Sequence, residues 1–338
     1  MEEIANIPPE ICSRIVQHSR HSDLLHVART TKNLQVAAES RLYNTLFLRD
    51  PGIVLKACSA VLVAGSHRGR YVQRFYFYFD IRQLRSRTAS LPVLFWECVR
   101  DSLALMPNLQ ELCLSDPTYT NTWILDPLKN TFQLKVAKLS FGWDAHMVAF
   151  LQEQSELRIL QVRECFADQA IIPLASSKLP ALEVFDGHPR IAMELLGCKL
   201  TTLRFGVDEA QHIAIPNLIQ HIITASTPLR TLHIMHIPQQ VFLQAMNLIT
   251  ASHLGSQLYH LGVIHYPWAH FLEVEVASWE PHPTGVFRRV IAKEMHIYCP
   301  TLRHVVFWIS YDRTYPFTYN GTDWIPTPGR QESSLREA

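Results

Sequence analysis

Apolar residues return along most of this chain in a short unit: apolar, two spacers, apolar, one spacer, apolar. The unit occurs as Tyr43-x-x-Leu46-x-Leu48, Val72-x-x-Phe75-x-Phe77, Leu109-x-x-Leu112-x-Leu114 and Val136-x-x-Leu139-x-Phe141. It continues as Leu157-x-x-Leu160-x-Val162, Leu182-x-x-Phe185, Leu200-x-x-Leu203-x-Phe205 and Leu229-x-x-Leu232-x-Ile234, then as Leu258-x-x-Leu261-x-Val263 and Leu302-x-x-Val305-x-Phe307. Alternate apolar positions place one set of side chains on one side of an extended backbone, so each unit predicts a short strand with a buried face. Between them, Val93–Leu105, Ala145–Glu153, Ile215–Ala225, Val241–Thr250 and Val286–Tyr298 carry the longer period of helices. Strand alternating with helix predicts the α/β class.

The first fifty residues read differently. Pro8 and Pro9 stand where a helix begins, and Glu10 lies in its first turn, where a negative charge complements the helix dipole. Ile11, Ile15 and Val16 then form one apolar stripe. Ser22 and Asp23 precede a second helix with Leu24, Leu25, Val27 and Ala28, and a third carries Leu34, Val36, Ala37, Ala38 and Leu42. Helices this short enclose little surface, so such stripes require cover, either from a second polypeptide or from the rest of the chain. The expected organisation is a helical domain at 1–50, a strand-and-helix domain at 51–312 and a C-terminal tail at 313–338, partly disordered because its polar, proline-marked end buries too little to offset ordering.

The string Ile7-Pro8-Pro9-Glu10-Ile11, Arg14-Ile15-Val16, Asp23-Leu24-Leu25, Lys32-Asn33-Leu34 and Arg41-Leu42-Tyr43 resembles an F-box. The alternation that follows, at a period of roughly 20 to 30 residues, resembles an irregular leucine-rich-repeat solenoid. Met106-Pro107-Asn108-Leu109 and Cys299-Pro300-Thr301-Leu302 are the nearest to that family's wording. Together they are similar to fungal F-box proteins, which implies a three-helix F-box-like head followed by a leucine-rich-repeat-like solenoid. The resemblance implies a substrate-recognition subunit of an SCF-type cullin–RING ubiquitin ligase, docking on a Skp-type adaptor through Ile7, Pro8, Pro9, Ile11, Ile15, Leu24, Leu25 and Val27. The alternative is a repeat scaffold whose altered head no longer binds the adaptor. In a horseshoe the spacer residues of the strands face the concave side, which selects Tyr76, Tyr78, Glu111, Gln161, Arg163, Arg204, His233, Tyr259, His304 and Trp308 as substrate-facing.

Composition narrows the chemistry. The formal net charge of the 338 residues is +1, so no overall field draws the chain to nucleic acid or an anionic membrane. The seven cysteines are scattered without a CxxC pair, as expected of reduced, buried thiols in a cytoplasmic or nuclear protein. The opening MEEIANIPPE lacks the basic start and apolar run of a signal peptide, and the sequon Asn320-Gly321-Thr322 is therefore not expected to be glycosylated. No P-loop, nucleophile elbow, dinucleotide fingerprint or HExxH motif occurs, so neither catalysis nor a cofactor is expected. The pairs His233/His236 and His260/His265 lack a third ligand and are not expected to hold a metal. A locally basic run, from His67 and Arg68 through Arg70, Arg74, Arg82, Arg85 and Arg87 with interleaved tyrosines, would suit an acidic protein partner better than nucleic acid.

Overall fold

A computed structural model describes residues 7–78, 90–162, 171–206, 215–225, 228–235, 244–245, 247–249, 251–258, 260–262, 271–275, 284–298, 302–310 and 313–327. The chain divides into two compact units, Met1–Leu200 and Thr201–Ala338.

In the first unit, α1 (Pro9–His18), α2 (Leu24–Val27) and α3 (Lys32–Asn44) lead directly into β1 (Thr45–Leu48). Then follow α4 (Pro51–Leu62), β2 (Arg74–Phe77), α5 (Val93–Leu103), β3 (Glu111–Ser115), β4 (Val136–Ser140), α6 (Ala145–Leu151), β5 (Ile159–Val162), β6 (Val184–Gly187) and α7 (Pro189–Leu195). A 3-10 turn at Arg68–Tyr71 precedes β2, and another at Thr122–Leu128 joins β3 to β4. Strands β1 to β6 are parallel, each paired with its neighbour in chain order.

The hydrophobic alternation explains the register. Leu46, Phe75, Leu112, Ala137, Leu160 and Phe185 form one buried row across the six strands. Leu48, Phe77, Leu114, Leu139 and Val162 form the next. Helix α5 lays Phe95 and Trp96 against this core, 5.4 and 6.2 Å from Phe77 between ring centroids. Asp50 caps α4 by accepting from the Ile53 amide at 3.0 Å, and Asp144 caps α6 by accepting from Met147 at 2.9 Å. Gly187 ends β6 where a Cβ would lie 2.2 Å from the Val162 carbonyl oxygen, so only glycine permits that approach.

The second unit holds β7 (Thr202–Gly206), α8 (Ile215–Thr224), β8 (Thr231–Met235), α9 (His253–Gln257) and β9 (His260–Gly262), the three strands again parallel in chain order. A separate four-stranded sheet comprises β10 (Phe271–Glu275), β11 (His304–Ser310), β12 (Arg313–Tyr319) and β13 (Trp324–Pro326), with α10 (Gly285–Tyr298) between its first two strands. Here β10 and β11 are parallel, whereas β11, β12 and β13 are antiparallel. Ala292 of α10 and Leu302, Val305, Phe307, Phe317 and Trp324 close its core. Asn320 Oδ1 accepts from the Thr322 and Asp323 amides at 3.0 and 2.8 Å and closes the β12–β13 turn, with Gly321 at φ +100°.

The α/β class agrees with the sequence reading, but the architecture expected within it is corrected. Instead of a three-helix F-box-like head followed by a leucine-rich-repeat-like solenoid, the chain forms all-parallel strands alternating with helices, and a mixed sheet closes the second unit. The opening helices are not set apart: α3 runs without a linker into β1 and is tied to the turn before β2 by an Arg68–Glu39 ion pair of 2.9 Å. Any parallel strand with one buried face produces the same spacing, so the unit identifies strands without identifying a repeat family. Compact division at residue 200 replaces the expected boundaries at 50 and 312, and residues 313–326, assigned to the tail, supply β12 and β13. Of the predicted helix at 241–250, residues 244–245 and 247–249 are described and are helical, and the other half lies outside the described residues.

Candidate functional site

The opening helices build a small core and leave a second apolar stripe outside it. Cys12 and Val16 of α1 pack with Leu24, Leu34 and Ala38, all buried, and Ile7, Val27 and Leu42 pack against them half-buried. The spacing Cys12/Val16 is i, i+4, and so is the adjacent Ile11/Ile15. Helix α1 therefore carries two parallel apolar rows, one turned inward and one outward. Ile11 and Ile15 are 45% and 41% exposed, and Leu25 of α2 is 60% exposed.

Polar contacts hold these helices in place. Asn33 donates to the Ile7 carbonyl at 3.0 Å, and Arg41 donates to the carbonyls of Val16 and of Ser19, the latter at 2.9 Å. The Thr31 hydroxyl caps α3 by accepting from the Leu34 amide at 3.3 Å. The outward row is thus presented on a braced scaffold. Of the residues expected to face an adaptor, Ile11, Ile15, Leu25, Pro8 and Pro9 are exposed, Ile7 and Val27 are half-buried, and Leu24 is fully buried. Leu24 is corrected to a core residue: neighbours on a helix point about 100° apart, and the face of α2 that carries Leu24 packs into the core of α1 and α3 while Leu25 stays exposed.

The outward rows of the first unit's sheet form the second surface. Thr45, Arg74, Glu111, Val136, Ile159 and Val184 are in register, as are Phe47, Tyr76, Cys113, Lys138, Gln161 and Asp186. Phe47 stands between Tyr76 and Tyr78 at 5.9 and 6.0 Å, and the Arg49 guanidinium lies 5.0 Å from the Phe47 ring centroid. Arg74 pairs with Glu111 at 3.0 Å, and the Tyr76 hydroxyl donates to the same carboxylate. Burial and that hydrogen bond both push the Tyr76 phenol well above its ordinary range, so it stays protonated.

Tyr76, Glu111 and Gln161 therefore share one sheet, and Tyr78 directly follows β2. Phe47 and Arg49 were missed, although Phe47 is the spacer of the first strand unit and the same rule selects it. In the second unit, Arg204 of β7 and His233 of β8 are register neighbours. His304 and Trp308 are corrected: both lie on β11 of the mixed sheet, His304 opposite Thr318 with its Nδ1 3.2 Å from the hydroxyl, and so do not continue the parallel strands. Arg163 and Tyr259 lie outside the described residues.

Other expected chemistry is redistributed. Arg68 is occupied by Glu39 and lies over Tyr43, and Arg74 is occupied by Glu111, which removes both from a basic patch; Arg82, Arg85 and Arg87 lie outside the described residues. Among the described residues no group of three or more histidine, cysteine or acidic side chains converges, and His236 and His265 lie outside them. Cys12, Cys58, Cys113 and Cys198 are buried, and burial pushes the Cys58 thiol up to about 12 and that of Cys198 to about 11. A hollow of about 380 Å³ beside Pro107, Gln110, Phe132 and Lys135 opens to solvent and is lined by neither histidine nor cysteine. No described helix is long and apolar enough to cross a membrane. The chain matches no model of a known protein family and no curated protein, so its surfaces are interpreted from their own chemistry.

Proposed function

We propose that this chain is a non-catalytic substrate receptor of an SCF-type ubiquitin ligase, with the opening helices docking on a Skp-type adaptor. The observation that carries the reading is the outward row of Ile11, Ile15 and Leu25, apolar side chains that the chain's own core leaves uncovered. Single exposed apolar residues are ordinary, but an i, i+4 pair joined by a third from the next helix is the pattern that fills a groove. The F-box-like motif at 7–43 supports the choice of partner.

In this reading the outward sheet face around Phe47, Tyr76 and Tyr78 holds the substrate. Aromatic side chains flanked by arginine supply large contact area at low entropic cost. The receptor's contribution to ubiquitin transfer is proximity: a bound substrate meets the ligase at raised effective concentration.

A pulldown with purified Skp-type adaptor tests the proposal. The intact chain is expected to be retained, and the double variant Ile15→Asp/Leu25→Asp is expected to be lost from the resin while keeping its circular dichroism spectrum. Failure of the intact chain to bind rejects the reading. Leu24→Asp is unsuitable here, because it places a charge in the core and unfolds the helices whether or not they dock.

A further inference from the structure

The N-terminus of α10 carries two positive features and, among the described residues, no anion paired with them. Thr284 caps the helix: its carbonyl accepts from the Arg288 amide at 2.9 Å and its hydroxyl from the Phe287 amide at 3.3 Å. The amides of Gly285 and Val286 lie ahead of the first intrahelical bond and have no acceptor within the helix. Together with the helix dipole they make this end electropositive.

Arg288 lies in the same first turns and is only 8% exposed. One face of its guanidinium stacks on Tyr315, 3.6 Å from the ring centroid. Its Nη2 comes back over the helix start, 3.7 Å from where a Cβ on Gly285 would stand. Nε and Nη1 are buried without a hydrogen-bond partner among the described residues.

Unpaired burial of a guanidinium charge is costly. Placing it at the positive end of a helix adds repulsion. A sequence that builds and keeps this arrangement makes sense if an anion completes it.

We propose that the first turn of α10 is an oxyanion site, which takes a phosphate group through the Arg288 guanidinium and the amides of Gly285 and Val286. A tetrahedral dianion meets a guanidinium and a helix end from two directions at once, which a planar monoanionic carboxylate does less well. The phosphate can belong to a soluble compound or to a phospholipid headgroup; for the second, Val286 and Phe287, 77% and 50% exposed beside the site, would lie toward the acyl chains. The proposal stands independently of adaptor docking.

Inorganic phosphate is the first probe, read by thermal unfolding of the full chain and by broadening of the phosphorus resonance, against sodium chloride at matched ionic strength. Phosphate is expected to raise the melting temperature saturably, and Arg288→Met to weaken the response by about tenfold or more. Gly285→Asp supplies a carboxylate within the chain, and its Cβ fits at ordinary contact distance. It should raise the melting temperature without phosphate and abolish the phosphate response, a gain that a merely damaged fold cannot imitate. Sedimentation with phosphatidylcholine vesicles, with and without phosphatidic acid, then identifies the source. Retention on phosphatidic acid that needs Arg288 assigns a lipid, and phosphate binding without retention assigns a soluble ligand; both support the site. No phosphate effect beyond chloride, or Arg288→Met and Gly285→Asp responding as the parent chain does, overturns it.

Discussion

Leu24 and Leu25 are neighbours in sequence, yet one is sealed in the core and the other is 60% exposed, so they should fail in opposite assays. Truncating Leu24 to alanine removes a fully buried side chain among Cys12, Val16, Leu34 and Ala38. Such truncations cost about 2–5 kcal/mol of stability, and a small three-helix core has little to spare. Truncating Ile11, Ile15 or Leu25 singly should cost about 1 kcal/mol or less in folding, because each is only about half covered by the chain.

Binding should show the reverse. Fully covering an isoleucine or leucine is worth about 1.5–3 kcal/mol, and these three are roughly half covered already, so each can gain about 1 kcal/mol on docking. The sum, about 3 kcal/mol, corresponds to a loss of roughly a hundredfold in affinity for the triple alanine variant. Urea denaturation followed by circular dichroism measures the first quantity, and isothermal titration with purified Skp-type adaptor the second. The reasoning fails if any one of the three single alanine variants loses as much stability as Leu24→Ala, or if the triple variant's affinity for the adaptor is unchanged.

Four further outcomes are expected. Gly187→Ala drives a Cβ to 2.2 Å from the Val162 carbonyl and 2.8 Å from the Phe185 ring, and should destabilise the first unit by about 1–3 kcal/mol in denaturant titration. Asp116, fully buried, accepts from the amide and hydroxyl of Thr118 at 3.0 and 2.8 Å and from the amide and side chain of Asn121 at 3.0 and 3.1 Å. Asp116→Ala leaves those donors unpaired and should cost about 2–4 kcal/mol, seen as a lower urea midpoint. Burial opposes ionisation of Asp126, but Lys129 and His146 outweigh it and hold the carboxyl below its ordinary 3.8. Since the folded value is the depressed one, the contribution is complete above pH 3.8 and is lost as pH falls through the folded value. Asp126→Asn should therefore lower stability by a few tenths of a kcal/mol at neutral pH and by nothing at the acid extreme, checked by unfolding across pH. Cys58 and Cys198, held protonated by burial, should resist iodoacetamide at pH 8 in the folded chain and react once it is unfolded, as read by intact mass.

Much of the local structure was legible because it depends on one-dimensional periodicity. The alternation at Leu112/Leu114, Leu139/Phe141 and Leu203/Phe205 placed β3, β4 and β7 within a residue or two, and the helical period placed α5, α6, α8 and α10. The same rule overlooked β10, β12 and β13. Strand β12, Arg-Thr-Tyr-Pro-Phe-Thr-Tyr, alternates polar with aromatic residues and carries a proline, so it resembles a polar tail until β11 is beside it. Helix α7, only seven residues long, is shorter than the window in which a helical period can be recognised.

By itself, then, the sequence determined which residues avoid water and with what period, and from that the α/β class. A side chain's polarity and its spacing need no partner to be read. Only tertiary structure decided what covers what. Ile11 and Leu24 are alike in composition and opposite in exposure, because burial is settled by which face the neighbouring helices cover. The guanidinium of Arg288 is of the same kind: an arginine in a helix is ordinary until folding removes it from water with no carboxylate among the described residues paired to it.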